Sequence, residues 1–223
     1  MNRKELYRIT KDKIRGYVNL SFSQEGEDII IDNLINYKEK GFYVDIGALH
    51  PARFSNTMRF YYRGWSGLNV DAMPGSMQLF NKLRPRDINV EAGVSSNGEN
   101  MIYYKFNEPA LNTFDNKKAE KLIKQGQYQL TEEIEVQTYT VMEILDRYIA
   151  KNQKIDIMDI DIEGFDEPVI NQIDWEKYHP EIVLAEKLDN HFVMPLEILD
   201  KNGYQIAAWT GRTVIYKLRN NYM

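Results

Sequence analysis

Five short apolar runs, Phe42–Ile46, Gly67–Asp71, Asp87–Glu91, Ile155–Ile160 and Glu181–Ala185, constrain this chain more than any other feature. Each is bounded by turn residues. The two stretches between the first three, Asn56–Arg63 and Pro74–Leu83, read as helices, the second with a proline in its first turn. Strand, helix, strand, helix, strand at this pitch calls for right-handed crossovers and a parallel sheet. The runs at Ile155 and Glu181 are apolar enough to be central strands, each followed by a helical segment. At the end, Tyr204–Trp209 and Thr213–Leu218 flank Thr210-Gly211-Arg212, which has hairpin form, so the last two strands are antiparallel.

More than sixty residues separate Glu91 from Ile155, against roughly 30 for an ordinary strand–helix–strand unit, so material is inserted there, at about residues 98–140. This stretch reads as two strands, Met101–Phe106 and Glu133–Thr140, a polar loop over 107–113, and helices over 115–125 and 141–150. Upstream, Ser23 with acidic residues in the following turn starts a helix expected to end near Gly41. Residues 1–20 carry six Lys or Arg against Glu5 and Asp12, with an apolar stripe at helical spacing, and form a separate amphipathic segment ahead of the domain over 21–223. Its readings are a helix packed on the domain or, given its basic face, an anchor on anionic membrane.

Composition excludes several classes. Lys plus Arg is 28 and Asp plus Glu is 33, a net charge of −5, which gives no general attraction to nucleic acid. No apolar stretch approaches the ~20 residues of a membrane-spanning helix. Cysteine is absent, removing disulfides, thiolate metal sites and cysteine catalysis. The start lacks the apolar core and cleavage site of a secretory signal, so the cytoplasm is the expected setting.

In an open sheet of this kind ligands bind beyond the carboxyl ends of the strands, where the strand order reverses. At the end of the first strand, Val44-Asp45-Ile46-Gly47-Ala48 sets a carboxylate beside a residue without a side chain. Alone, Asp45 reads equally well as a turn or capping residue. The second strand ends on Asp71, 24 residues after Gly47, near the spacing at which an acid grips an adenosine ribose. A Gly-x-Gly-x-x-Gly loop is missing, and Asp45 repels a pyrophosphate, which argues against a nicotinamide dinucleotide. An acidic turn instead suits a cofactor carrying a cationic centre and an amino group, and S-adenosylmethionine has both.

Residues 155–176 hold eight acids, Asp156, Asp159, Asp161, Glu163, Asp166, Glu167, Asp174 and Glu176, and no Lys or Arg. Strand alternation turns Asp159 and Asp161 to one side, with Glu163 in the turn beside Gly164. General base, cation ligand and capped helix start compete as explanations; capping suits Asp166 and Glu167, and function suits Asp161 and Glu163.

Six segments in order, Ser23-Gln24-Glu25-Gly26-Glu27-Asp28, Tyr43-Val44-Asp45-Ile46-Gly47-Ala48, Ser55-Asn56-Thr57, Arg63-Gly64-Trp65-Ser66-Gly67, Asp161-Ile162-Glu163-Gly164 and Glu181-Ile182-Val183-Leu184-Ala185-Glu186, resemble the motifs of FkbM-type methyltransferases over residues 21–218. The resemblance implies an α/β class I, Rossmann-like fold: a doubly wound, mostly parallel seven-stranded sheet with a C-terminal antiparallel hairpin and an insertion between strands 3 and 4. It implies S-adenosylmethionine as donor and O-methylation of a hydroxyl on a sugar, glycan precursor or related small molecule. Its cofactor residues fall on Gln24, Asp45, Gly47, Ala48, Asn56, Asp71 and Ala72, and the loop facing the methyl group on Asp161 and Glu163. Where such proteins often continue Gly-Ala-Asn-Asp-Gly, this chain has Gly47-Ala48-Leu49-His50-Pro51, and it has Asp71-Ala72-Met73-Pro74 where Glu-Pro-x-Pro is common.

Asp161 is the preferred base, with Glu163 supporting it and His50 and His191 as alternatives; His179 reads as structural. Glu186 can complete a three-carboxylate divalent-cation site with Asp161 and Glu163, or be neutralised by Lys187. Tyr103, Tyr104, Phe106 and Asn112 read as either acceptor pocket or core. The rival functions are an NAD(P)-dependent oxidoreductase and a noncatalytic scaffold that keeps the fold. A homo-oligomer is compatible with either.

Overall fold

A computed structural model describes Glu5 and residues 19–162, 164–186 and 196–219. The amphipathic segment over 1–20 therefore lies almost wholly outside the described residues, as do Glu163, Lys187 and His191. The strands, in chain order, are β1 (Phe42–Ile46), β2 (Ser66–Asp71), β3 (Ile88–Glu91), β4 (Gly93–Val94), β5 (Met101–Phe106), β6 (Leu130–Val136), β7 (Thr138–Tyr139), β8 (Ile157–Ile160), β9 (Ile182–Glu186), β10 (Tyr204–Trp209) and β11 (Thr213–Leu218). The helices are α1 (Glu27–Leu34), α2 (Met58–Arg63), α3 (Met77–Leu83), α4 (Asn116–Gln125), α5 (Val141–Tyr148), α6 (Asp166–Ile170) and α7 (Glu197–Lys201).

Seven strands form one sheet in the order β10-β11-β9-β8-β1-β2-β3, parallel except for the closing β10–β11 hairpin, whose β11 runs antiparallel to β9. Strand order reverses between β1 and β8, which pair through Tyr43–Ile157, Val44–Met158, Asp45–Asp159 and Ile46–Ile160. Alternation then divides the core. Tyr43, Ile157, Leu184 and Ile215 face Ile31, Met58, Phe60 and Trp65 on one side of the sheet. Val44, Met158, Val183 and Val214 face the α5, α6 and α7 side, with Val141, Leu145, Val169 and Leu199. Because both faces are covered, the central strands are apolar almost throughout, with polar residues collecting at their ends.

Between β3 and β8 the β5–β6 hairpin and α4 stand apart from the main sheet, while β4 and β7 form a short parallel pair. The second expected strand of this region begins earlier, at Leu130, and breaks at Gln137. Four helix limits also differ from the sequence reading. α1 ends at Leu34 rather than near Gly41, because Asn36 (φ 51°) and Tyr37 (φ 55°) turn left-handed. α1 also starts at Glu27, with Gly26 (φ 91°) as N-cap, while Ser23 ahead of it bonds Asp28 in its first turn. α2 begins at Met58 and α3 at Met77, leaving Asn56 and Pro74 in the preceding turns.

Candidate active site

At the carboxyl edge of β1, β2 and β8 lies a cavity of about 310 Å³, within the range of small-molecule sites. Gln24, Asp45, Gly47, Ala48, Asn56, Asp71 and Ala72 all line it, so the cofactor residues taken from the family motifs converge on one space. Asp161 and Glu186 share it. Tyr103 and Asn112 reach it from the inserted segment, whereas Tyr104 and Phe106 are not among its lining residues. Nor is His50: its Nδ1 accepts hydrogen bonds from the N–H groups of Ala52 (3.0 Å) and Arg53 (2.8 Å), which commits it to the turn. Burial and the nearby Arg53 charge both lower its pKa.

Gly47 is held at φ 90° between two strands: its N–H donates to Val70 O (2.9 Å), and Asp161 N–H donates to Ile46 O (3.0 Å). A Cβ on Gly47 would stand 1.8 Å from the Asp161 carbonyl oxygen, so the turn packs backbone on backbone at the cavity floor. Leu49 (φ 48°) and Phe54 (φ 56°) hold left-handed conformations in the loop that follows, and both line the cavity. Such strain concentrates where a loop is shaped for a ligand. Asp71 fixes this loop from β2, accepting from Leu49 N–H (3.0 Å) and Met73 N–H (2.9 Å).

The cavity is anionic. Asp45 (β1) and Asp159 (β8) are buried side by side; Thr57 Oγ1 donates to Asp45 at 2.6 Å and Asn56 Nδ2 donates to Asp159 at 2.8 Å. Asp161 is exposed and lines the cavity. Desolvation, followed by the charges of Glu186 and Asp166, raises its pKa to about 8. Asp166, at the start of α6, accepts from Glu186 N–H (3.2 Å) and Gly164 N–H (3.3 Å), so it ties α6 to β9 rather than capping its own helix. Burial and Glu186 push it to about 6. Burial likewise raises Asp45, Asp71, Asp159 and Glu186. Against these acids and Glu27 the described lining carries two cations, Arg53, paired with Glu108, and Arg212, on the hairpin turn held by Glu25.

These raised values set the sign of the pH dependence. Each folded-state pKa exceeds the unfolded value, so the folded chain binds more protons, and the associated stability is lost as pH rises through the folded pKa. His50 acts oppositely, but only below about pH 6.5. The ligand-free protein is therefore expected to melt at a lower temperature at about pH 8.5 than at about pH 6.5, chiefly through Asp161 and Asp159. A melting temperature that stays flat or rises over that window contradicts the assignment.

Among the described residues no group of three or more His, Cys, Asp or Glu is placed to hold a metal ion. Asp161 and Glu186 share the cavity, and the third expected ligand, Glu163, lies outside the described residues. Two features had no sequence signal: buried Arg84 beneath the floor, and the hairpin turn at Arg212 as a cavity wall.

A sheet of seven strands with ranks 3-2-1-4-5-7-6 and an acidic cavity at its switch point defines a class I methyltransferase. The model of the family described as Methyltransferase FkbM domain matches residues 45–206, and the chain belongs to that family. It is an S-adenosylmethionine-dependent methyltransferase. The lining fits that cofactor: carboxylates surround a space suited to a sulfonium and an ammonium group, and the Gly47 turn forms part of its wall.

Two solved structures are similar in extent. One is a TehB-like SAM-dependent methyltransferase from Corynebacterium glutamicum ATCC 13032 Kitasato, at 10% identity and TM-score 0.43, covering 96% of this chain and 97% of that one. The other is a putative type 11 methyltransferase from Sulfolobus solfataricus, at 10% identity and TM-score 0.41, covering 90% and 95%. A search of curated protein sequences finds no match. No helix among the described residues is long and apolar enough to cross a membrane.

Proposed function

We propose that the protein transfers a methyl group to a hydroxyl oxygen of a sugar, a glycan precursor or a related small molecule, with Asp161 as general base. The observation that carries this reading is the position of Asp161: at the end of β8, open to the cavity, with Glu186 and Asp166 beside it. Once ionised, a carboxylate whose pKa is raised to about 8 is a stronger proton acceptor than an ordinary one, as deprotonating a hydroxyl during attack requires.

When bound, S-adenosylmethionine supplies an electrophilic methyl group on a sulfonium. The chain's own part is to bind, align and accept a proton. Asp71 is the candidate for the ribose hydroxyls and Asp45 for the cationic amino end, and the Gly47 turn lets the cofactor approach the backbone. A carboxylate oxygen of Asp161 would take the acceptor hydroxyl's proton while the methyl carbon exchanges its bond to sulfur for one to the acceptor oxygen, leaving S-adenosylhomocysteine. The inserted segment, through Tyr103, Asn112 and Phe114, closes one side of the cavity and limits water there. Tyr103 packs on Phe114 at 4.8 Å between ring centres, and burial raises its pKa, so it remains a neutral wall.

Titration calorimetry with S-adenosylhomocysteine tests the cofactor assignment. Wild type is expected to bind and Asp71→Ala to lose at least about tenfold in affinity, since two loop N–H groups also lose their acceptor. No heat with wild type removes the assignment of this cavity. Unchanged affinity in Asp71→Ala removes the role of that residue.

A further inference from the structure

Arg84 follows α3 and is fully buried, as is Thr57 ahead of α2. Nε of Arg84 donates to Asp87 Oδ2 (2.8 Å), and its guanidinium lies 5.0 Å from the ring centre of Tyr43, 5.4 Å from that of Tyr61 and 5.6 Å from that of Phe80. The same group reaches upward. Nη2 donates to Thr57 Oγ1 (3.0 Å), and Nη1 donates at longer range to Ser55 Oγ (3.4 Å) and Pro51 O (3.5 Å). Three oxygens of the segment 51–57 are thus gripped from beneath by one side chain.

The direction of these bonds matters. A hydroxyl has one hydrogen, and a guanidinium can only donate, so Thr57 Oγ1 accepts from Arg84 and its hydrogen is committed to Asp45, 2.6 Å away. The neighbouring Asn56 donates to Asp159. Asp45 and Asp159 therefore both take hydrogen bonds from a segment that Arg84 anchors. A lysine cannot replace it, since one ammonium does not span the fork that reaches Asp87 and Thr57 together.

We infer that Arg84 is a positioning residue for methyl-donor binding, acting through the Thr57 hydroxyl to fix the orientation of the Asp45 carboxylate in the cavity. The inference rests on the proposal that Asp45 receives the cationic amino end of the cofactor. The charged groups facing Asp45 are Arg84 and Asp87 from beyond α3, Asp71 from β2, and Asp159 and Asp161 from β8. Against four acids, Arg84 is the one cation in that set. Without the Thr57 bond, Asp45 takes up a proton more readily, so the defect is larger at lower pH.

Calorimetry with S-adenosylhomocysteine on the full chain, at about pH 6.5 and about pH 8.5, separates this from a structural role. The variants are Thr57→Val, which removes the hydroxyl and leaves the Arg84–Asp87 pair, Thr57→Ser, which restores the hydroxyl, and Arg84→Lys. Thr57→Val is expected to bind at least about tenfold more weakly than wild type at the lower pH, with a smaller ratio at the higher pH. Thr57→Ser is expected to match wild type, and folded Arg84→Lys to resemble Thr57→Val. Wild-type affinity in Thr57→Val, or an equal loss at both pH values, overturns the inference. Should Arg84→Lys not fold, the two Thr57 variants decide. Wild type that binds no ligand overturns instead the cofactor reading on which the inference stands.

Discussion

Asp161→Asn is expected to keep S-adenosylhomocysteine bound within a few fold and to lower methyl transfer about 10²–10⁴-fold, the usual contribution of a positioned base. The two side chains have nearly the same shape, and the backbone bond from Asp161 N–H to Ile46 O is untouched, so the turn against Gly47 should persist. What is lost is the proton acceptor. Asparagine mimics the protonated carboxyl that the raised pKa of about 8 favours near neutral pH, so the repulsion an ionised Asp161 meets from Glu186 and Asp166 does not arise. The variant should therefore be no less stable than wild type near neutral pH, which distinguishes loss of chemistry from loss of fold. The measurement is a single-turnover rate with saturating donor and any acceptor that wild type methylates. Equal rates in the two proteins would falsify the base assignment and leave Asp161 as an electrostatic neighbour only.

The main sheet was legible because its signals are local. β10 and β11 carry apolar alternation on either side of Gly211, and the structure returns Tyr204–Trp209 and Thr213–Leu218 at the limits expected. Asp45 and Asp71 stand at strand ends, so finding the strands located them, and alternation along β8 put Asp159 and Asp161 on the same side. Where several residues decide together, the reading failed. α1 stops at Leu34 because Asn36 and Tyr37 turn left-handed, a cost that tertiary packing must meet and that no propensity announces. Arg84 resembles any basic residue at a helix end; its role needs Thr57, Asp87 and Asp45 brought together from three separate elements. His50 looked free to act as a base because the two backbone N–H groups that occupy its Nδ1 belong to a turn formed only in the folded chain.

Gly47→Ala is expected to have the largest effect of any small substitution in the cavity. Two costs combine. At φ 90° an alanine pays a backbone penalty of roughly 1–2 kcal/mol. Its Cβ would also meet the Asp161 carbonyl oxygen at 1.8 Å and carbonyl carbon at 2.8 Å. A flexible side chain could swing away, but this obstacle is backbone, pinned by Asp161 N–H to Ile46 O and by Gly47 N–H to Val70 O. Relief requires the ends of β1 and β8 to part, which moves Asp45, Asp159 and Asp161 together. A destabilisation of at least about 3 kcal/mol follows, lowering the melting temperature by roughly 6–12 °C for a chain of this size, with loss of S-adenosylhomocysteine binding. Gly126→Ala is the control: φ is 69°, and nothing lies within 4 Å of the added Cβ, so only the backbone penalty remains. If the two variants melt at the same temperature and Gly47→Ala still binds ligand, the close approach of β1 to β8 is not what shapes the cofactor cradle.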